Sequence, residues 1–263
     1  MRLIDTHTHI YDEAFDDDRA GVVARARAAG VELMMCPAID SGSHERLIRV
    51  CSEYAGYCLP MMGLHPTSVN DNPDYLSELG LVEKYLASPP VGKFYAVGEV
   101  GLDLYWSKDW QERQEEVFSR QIELSVGYGL PLVIHTRDAW PQMTRMLARF
   151  AGSGIRGVMH SFSGTMDDYL AVKSCGDFLF GIGGPVTYKK SELPGLLELI
   201  PLADIVLETD SPYLPPVPYR GKRNESGYLT YICEKVAEIK GLSTDEVATV
   251  TTANARRIFG INL

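Results

Sequence analysis

The feature that most constrains this chain is an alternation of two patterns. Short, uniformly apolar runs recur, and each is followed by a stretch with helical spacing. The apolar runs fall at 3–7, 31–36, 57–64, 94–99, 130–135, 155–160, 178–182 and 205–210. Helices are expected at 19–29, 43–54, 74–86, 110–126, 140–150, 167–174 and 192–199, with two more at 228–240 and 243–258 closing the chain. Strands that are apolar on both faces belong in a parallel sheet covered by helices. Eight such units closed on themselves make an α/β fold of the (β/α)8 TIM-barrel type, commonly about 250 residues in one domain. The 263 residues carry no Pro/Gly/Ser-rich linker, so a single domain over 1–263 is expected. An open doubly wound sheet is disfavoured because no Gly-rich phosphate loop follows the first apolar run.

Barrels of this kind carry their chemistry at the C-terminal ends of the strands. Those ends supply His7 and His9, then His65, Glu99, His135, His160 and Asp210. Five of the six histidines fall there, and only His44 does not; it lies at a helix start and is expected to be solvated. In a strand, residues two apart share a face, so His7 and His9 aim both imidazoles at one point. Four imidazoles and two carboxylates suit two divalent metal ions; Mg, Mn and Zn all remain open, since ligand type does not fix the metal. Each residue also has a plainer use. Glu99 could pair with a basic residue, and His135 and His160 could be hydrogen-bonded barrel residues. Asp210 could be a cap or Asx turn before Pro212, and His65 a ring packed before Pro66.

Composition narrows the function. With 35 acidic against 25 basic residues the net charge is −10, which argues against a long basic footprint on duplex nucleic acid or an anionic membrane. The five cysteines form no Cys-x-x-Cys pair, which disfavours a disulfide framework or a structural zinc and makes a reducing cytoplasm the expected location. No apolar run approaches the ~20 residues of a membrane span, and polar Asp5, His7 and His9 stand where a signal peptide would need an apolar core.

Five segments then resemble the successive motifs of the TatD family of metal-dependent DNases: Asp5–His9, Val97–Asp103, Val133–Ala139, Met159–Gly164 and Leu207–Leu214. The loop Arg220–Glu225 and the closing Ala253–Phe259 fit the same pattern, with Ser226 where the family often has proline. The resemblance implies an amidohydrolase-type TIM barrel holding two or more divalent metals and hydrolysing DNA phosphodiesters, including 3′ to 5′ exonuclease action. By motif position, His7 and His9 would hold the first metal with Asp210, His135 and His160 the second, and Glu99 would bridge. His65 matches the family's Gly-x-His-Pro position near the metals.

Two cations sharing a water would lower its pKa toward ~7. Asp210 is expected to hold that water and take its proton, and His65 to hydrogen-bond a phosphate oxygen or assist proton transfer; with Glu99 these form the catalytic set. Arg137, Arg220, Lys222 and Arg223, in loops near strand ends, are expected to bind substrate phosphates, and Lys189 and Lys190 lie in the same loops. Tyr105, Trp106 and Tyr188 could stack an unpaired base. The expected partner is therefore DNA, at single-stranded ends. Two rivals stand: a metal-dependent hydrolase of a small ester, lactone or phosphoester, and a barrel that binds without catalysis. A carboxylated lysine, which bridges the metals in many amidohydrolases, has no candidate at the end of the fourth run, which closes on Glu99.

Overall fold

The apolar runs pair as parallel strands. The structure, a computed structural model, describes residues 1–261; the last two positions of the domain expected over 1–263 lie outside the described residues. The strands are β1 (Leu3–Asp5), β2 (Val31–Cys36), β3 (Cys58–Pro60), β4 (Val97–Asp103), β5 (Leu132–Arg137), β6 (Arg156–Met159), β7 (Asp177–Ile182) and β8 (Ile205–Leu207). The helices are α1 (Arg19–Ala28), α2 (Ser41–Glu53), α3 (Tyr75–Ala87), α4 (Gln111–Tyr128), α5 (Trp140–Arg149), α6 (Met166–Cys175), α7 (Leu193–Leu199), α8 (Leu229–Lys240) and α9 (Thr244–Phe259). Helix ends follow local chemistry. Ser243 and Glu246 cap the start of α9 reciprocally, and left-handed Gly260 closes it. Among the described residues no helix is long and apolar enough to cross a membrane.

The chain folds as two compact units, each drawn from separated segments. The first comprises Met1–Cys36, Val50–Leu59 and Leu179–Leu263. In it β1 pairs with β2, β7 with β8, and the Thr6 N–H donates to Leu207 O at 3.1 Å, so the two chain ends are stitched together. Leu3, Ile10, Phe15, Val22, Ile205 and Phe259 are among its buried side chains. The second unit comprises Pro37–Arg49 and Pro60–Phe178. In it β4 pairs with β5 and β5 with β6, and α4 lies against β4. All seven residues of β4 are buried. Each large apolar side chain so buried contributes about 1.5–3 kcal/mol before entropy is counted.

Four expectations need correction. The fourth strand runs over Val97–Asp103 rather than 94–99, so Glu99 sits inside the strand and Asp103 ends it. Phe94 and Ala96 are buried as their apolar character demands, but pairing with β5 begins only at Val97. The third strand is shorter than 57–64: regular pairing covers Cys58–Pro60, with a single bridge from Met62 to Val97. Pro60, which has no N–H to give a ladder, stands where the strand stops. The eighth ends at Leu207, and Asp210 beyond it takes a left-handed conformation with φ +57. His44 is not solvated; it is 3 % exposed and meets Tyr85 edge-on, because α3 covers that face of α2.

Candidate metal centre

In the first unit, the stretches after β1 and β8 run side by side. The Asp210 N–H donates to His7 O at 2.9 Å and the His9 N–H to Ser211 O at 2.8 Å. This pairing continues the parallel register past the ends of both strands and brings three side chains to one point. His7 Nε2 lies 3.3 Å from His9 Nε2, and Asp210 Oδ1 lies 3.4 Å from His9 Nε2 and 3.8 Å from His7 Nε2. Donors bonded tetrahedrally to one cation at ~2.1 Å stand about 3.4 Å apart. The donor set and its spacing therefore fit a divalent ion. His9 Nδ1 meets Tyr11 Oη at 3.1 Å. When His9 offers its Nε2 lone pair to a metal, Nδ1–H donates to that phenol and the ring is held in place.

Asp5 supports this set from below. Its buried carboxylate accepts from the Thr209 N–H at 2.9 Å and the Thr209 hydroxyl at 2.6 Å, and from the His7 N–H at 3.4 Å. One side chain thus ties the residue before Asp210 to the backbone of His7. Burial pushes the Asp5 carboxyl up to about 7, against the pull of these donors.

In the second unit, Glu99 is the hub. Its Oε1 lies 3.1 Å from His135 Nδ1, 3.4 Å from His65 Nε2 and 3.8 Å from His160 Nε2. The β4–β5 register shifts between Gly98 and Val100, a bulge that re-aims the residue between them. Glycine is required on both sides of it. A Cβ at Gly98 would stand 2.7 Å from Val133 Cβ, and one at Gly101, whose φ is +134, would stand 2.1 Å from His135 O. Ligand atoms of His65, Glu99 and His135 all lie within 4.8 Å of one another.

The two rings differ in chemistry. His65 Nδ1 accepts the Thr67 N–H at 3.2 Å and lies 2.6 Å from the Thr67 hydroxyl, so in the neutral ring the proton sits on Nε2, facing Glu99. Burial holds the His65 pKa below its ordinary value despite Glu99. A neutral ring with its proton on Nε2 is a donor, not a ligand. His135 is the reverse. Its Nε2–H donates to Asp103 Oδ2 at 2.8 Å, leaving Nδ1 toward Glu99. Burial opposes charge on His135, but the hydrogen bonds with Asp103 and Glu99 outweigh it and raise its pKa. Two acceptors facing each other at 3.1 Å need a cation between them, a proton or a metal. The same ring keeps Asp103 below the usual carboxylate range, although burial pushes the other way.

Helix α4 fixes this arrangement from behind. Gln114 accepts the Asp103 N–H at 2.8 Å and donates to Asp103 O at 2.9 Å. Gln121, two turns on, accepts the Leu64 N–H at 2.7 Å and donates to Leu64 O at 3.0 Å, just before His65. Asp5 and Asp103 lie inside the motifs but receive no role in the site from sequence, and Gln114 and Gln121 are not singled out at all. Asp103 carried one signal, an acid spaced evenly from Glu99 along an apolar run; the two glutamines carried none.

The basic residues go different ways. Arg137 ends β5, with its guanidinium 3.6 Å over the Tyr105 ring. Arg220 lies 4.2 Å over Tyr188, and Lys222 lies 6.0 Å from the Tyr219 ring. Arg223 turns to Asp18, with two contacts at 2.8 Å, and donates to Ala14 O at 2.6 Å.

Parallel strands whose ends carry clustered imidazoles and carboxylates, with His9, His65 and His135 held by hydrogen-bond partners, define a metal-dependent hydrolase. Comparison with known proteins agrees. Residues 4–260 match the family described as TatD related DNase. The chain is 35 % identical over 267 residues to the "Uncharacterized metal-dependent hydrolase YabD" of Bacillus subtilis, covering 99 % of this chain and 100 % of that one. It is 32 % identical to the "3'-5' ssDNA/RNA exonuclease TatD" of Pantoea vagans, covering 98 % and 99 %. The crystal structure of a TatD homologue from Escherichia coli superposes with a TM-score of 0.90 at 29 % identity, covering 99 % of both chains. The chain belongs to the TatD family, and its fold is the α/β barrel of that family.

Proposed function

We propose that this enzyme hydrolyses phosphodiester bonds of DNA at single-stranded ends, releasing nucleotides in the 3′ to 5′ direction. The observation that carries the reading is the spacing of His7, His9 and Asp210, three metal-type donors 3.3–3.8 Å apart in a chain of this family. Following the motif order, His7, His9 and Asp210 would hold one divalent ion, and His135, His160 and Glu99 would serve a second. When bound, the ions supply Lewis-acid charge and an acidified water, and Mg, Mn and Zn all suit the ligand set.

The chain's own residues do the rest. Asp210, beside His7 and His9, would position the water and accept its proton. His65, with its proton on Nε2, donates to a phosphate oxygen as charge grows there. Asp103 holds the His135 ring so that Nδ1, not Nε2, faces inward. Arg137, Arg220 and Lys222 bind phosphates along the strand, and Arg223, anchored on Asp18, orders the loop that carries Arg220 and Lys222.

Digestion of a single strand labelled at its 3′ or 5′ end tests the reading. Chelation should abolish hydrolysis and a divalent ion should restore it, with the 3′ label released first. Activity that survives chelation refutes the metal mechanism. Turnover of a lactone or phosphomonoester, with no cleavage of oligonucleotides, gives the site to a small-ester hydrolase instead.

A further inference from the structure

Two large aromatic side chains stand on the surface beside the second ligand set. Tyr105 is 52 % and Trp106 66 % exposed. They follow β4 directly, and their turn is fastened at two points. The Tyr105 N–H donates to Asp103 Oδ1 at 3.1 Å, and the Leu104 N–H donates to Arg137 O at 2.9 Å. One carboxylate, Asp103, therefore orients a ring of the metal set with one oxygen and ties down the aromatic turn with the other. The two rings meet edge to face, with centroids 5.0 Å apart at 85°. The Arg137 guanidinium lies 3.6 Å over Tyr105 and 5.7 Å from the Trp106 ring. An isolated exposed apolar residue needs no explanation, but a braced pair with a guanidinium over one ring is unusual in a chain of net charge −10.

We propose that Trp106 is a stacking platform for an unpaired base at the end of a nucleic-acid strand, with Tyr105 bracing the indole and Arg137 holding the neighbouring phosphate. The proposal rests on the phosphodiesterase reading and names the part of the substrate the site grips. A ring face takes the π-face of any base, while the guanidinium offers its N–H groups to a phosphate oxygen. Bases inside a duplex already stack on both sides, so such a platform selects unpaired ends and not sequence. Arg137 is spent on Tyr105 on one face only, which leaves its N–H edge for an anion.

The test pairs two substrates with one variant. The metal-loaded enzyme is given a single-stranded oligonucleotide ending in a normal nucleotide and the same strand ending in an abasic one. Trp106→Ala should raise KM on the intact strand about tenfold, the usual scale of one base–aromatic stack. Its effect on the abasic strand should be several-fold smaller, and Trp106→Phe should recover part of the loss. Tryptophan fluorescence should be quenched when the intact strand binds, and not by the abasic one. Equal losses on both strands, or a wild type that treats both ends alike, overturn the platform and leave the nuclease reading standing. Failure of the metal-loaded wild type to cut any oligonucleotide overturns the nuclease reading, and the platform with it.

Discussion

The Asp103 carboxylate receives His135 Nε2–H at 2.8 Å, and this one bond decides which nitrogen of His135 faces Glu99. A buried acid behind a metal-type histidine raises the basicity of the ring and fixes its tautomer. Asp103→Ala is expected to lower divalent-metal affinity by about 10–100-fold. Calorimetric titration of the metal-free protein measures it directly, and an unchanged affinity would show that His135 is oriented by something else.

Asp210 is proposed for two roles, as a donor beside His7 and His9 and as the group that takes the water's proton. Asparagine also tolerates the left-handed backbone at this position, where φ is +57. Asp210→Asn should therefore melt close to the parent and retain some metal, while kcat falls by about 10²–10⁴-fold, the range for loss of a general base. An asparagine variant that turns over at the parent rate would remove Asp210 from proton transfer.

Gln121 satisfies both backbone groups of Leu64 with one amide. Gln121→Leu keeps the bulk and leaves a buried N–H and C=O unpaired, at a cost of roughly 1–3 kcal/mol for each group. The urea midpoint should fall accordingly. Because Leu64 precedes His65, turnover should fall by more than the lost fraction of folded protein explains. Equal stability in urea would mean that another donor and acceptor replace the amide.

His44 gives the protein a stability term that depends on pH. Burial holds its folded pKa below the ordinary 6.5, with Glu78 and Asp40 pulling weakly the other way. The unfolded chain takes up a proton near 6.5, whereas the folded one resists until lower pH, so this contribution is present above 6.5 and is lost as pH falls below it. His44→Phe, which keeps an edge-on ring for Tyr85, should lower the melting temperature less between pH 7.5 and 5.5 (an assay window of about two units) than the parent does. Identical falls in parent and variant would show that His44 is not held neutral.

How far the sequence reached differs from element to element. The alternation of apolar runs and helices was legible because burial on both faces of a strand leaves no other pattern. His7 and His9 were legible as a pair from their two-residue spacing, although the strand expected over 3–7 ends at Asp5 and the two rings meet beyond it. The bounds of β4 were not. The run 94–99 is apolar throughout, and nothing local says that pairing starts at Val97 or that a bulge at Glu99 carries the strand on to Asp103. His44 misled for a similar reason, since a polar residue at a helix start reads as solvated until a second helix covers it.

The sequence by itself determined which side chains could serve as ligands and in what order they come, because strand period and residue chemistry are both local. Only the tertiary structure decided which nitrogen each ring presents to Glu99: Nε2 for His65 because Thr67 occupies its Nδ1, and Nδ1 for His135 because Asp103 occupies its Nε2. An imidazole has two nitrogens and one proton to place, and the choice between them belongs to whichever neighbour packing brings within hydrogen-bond reach.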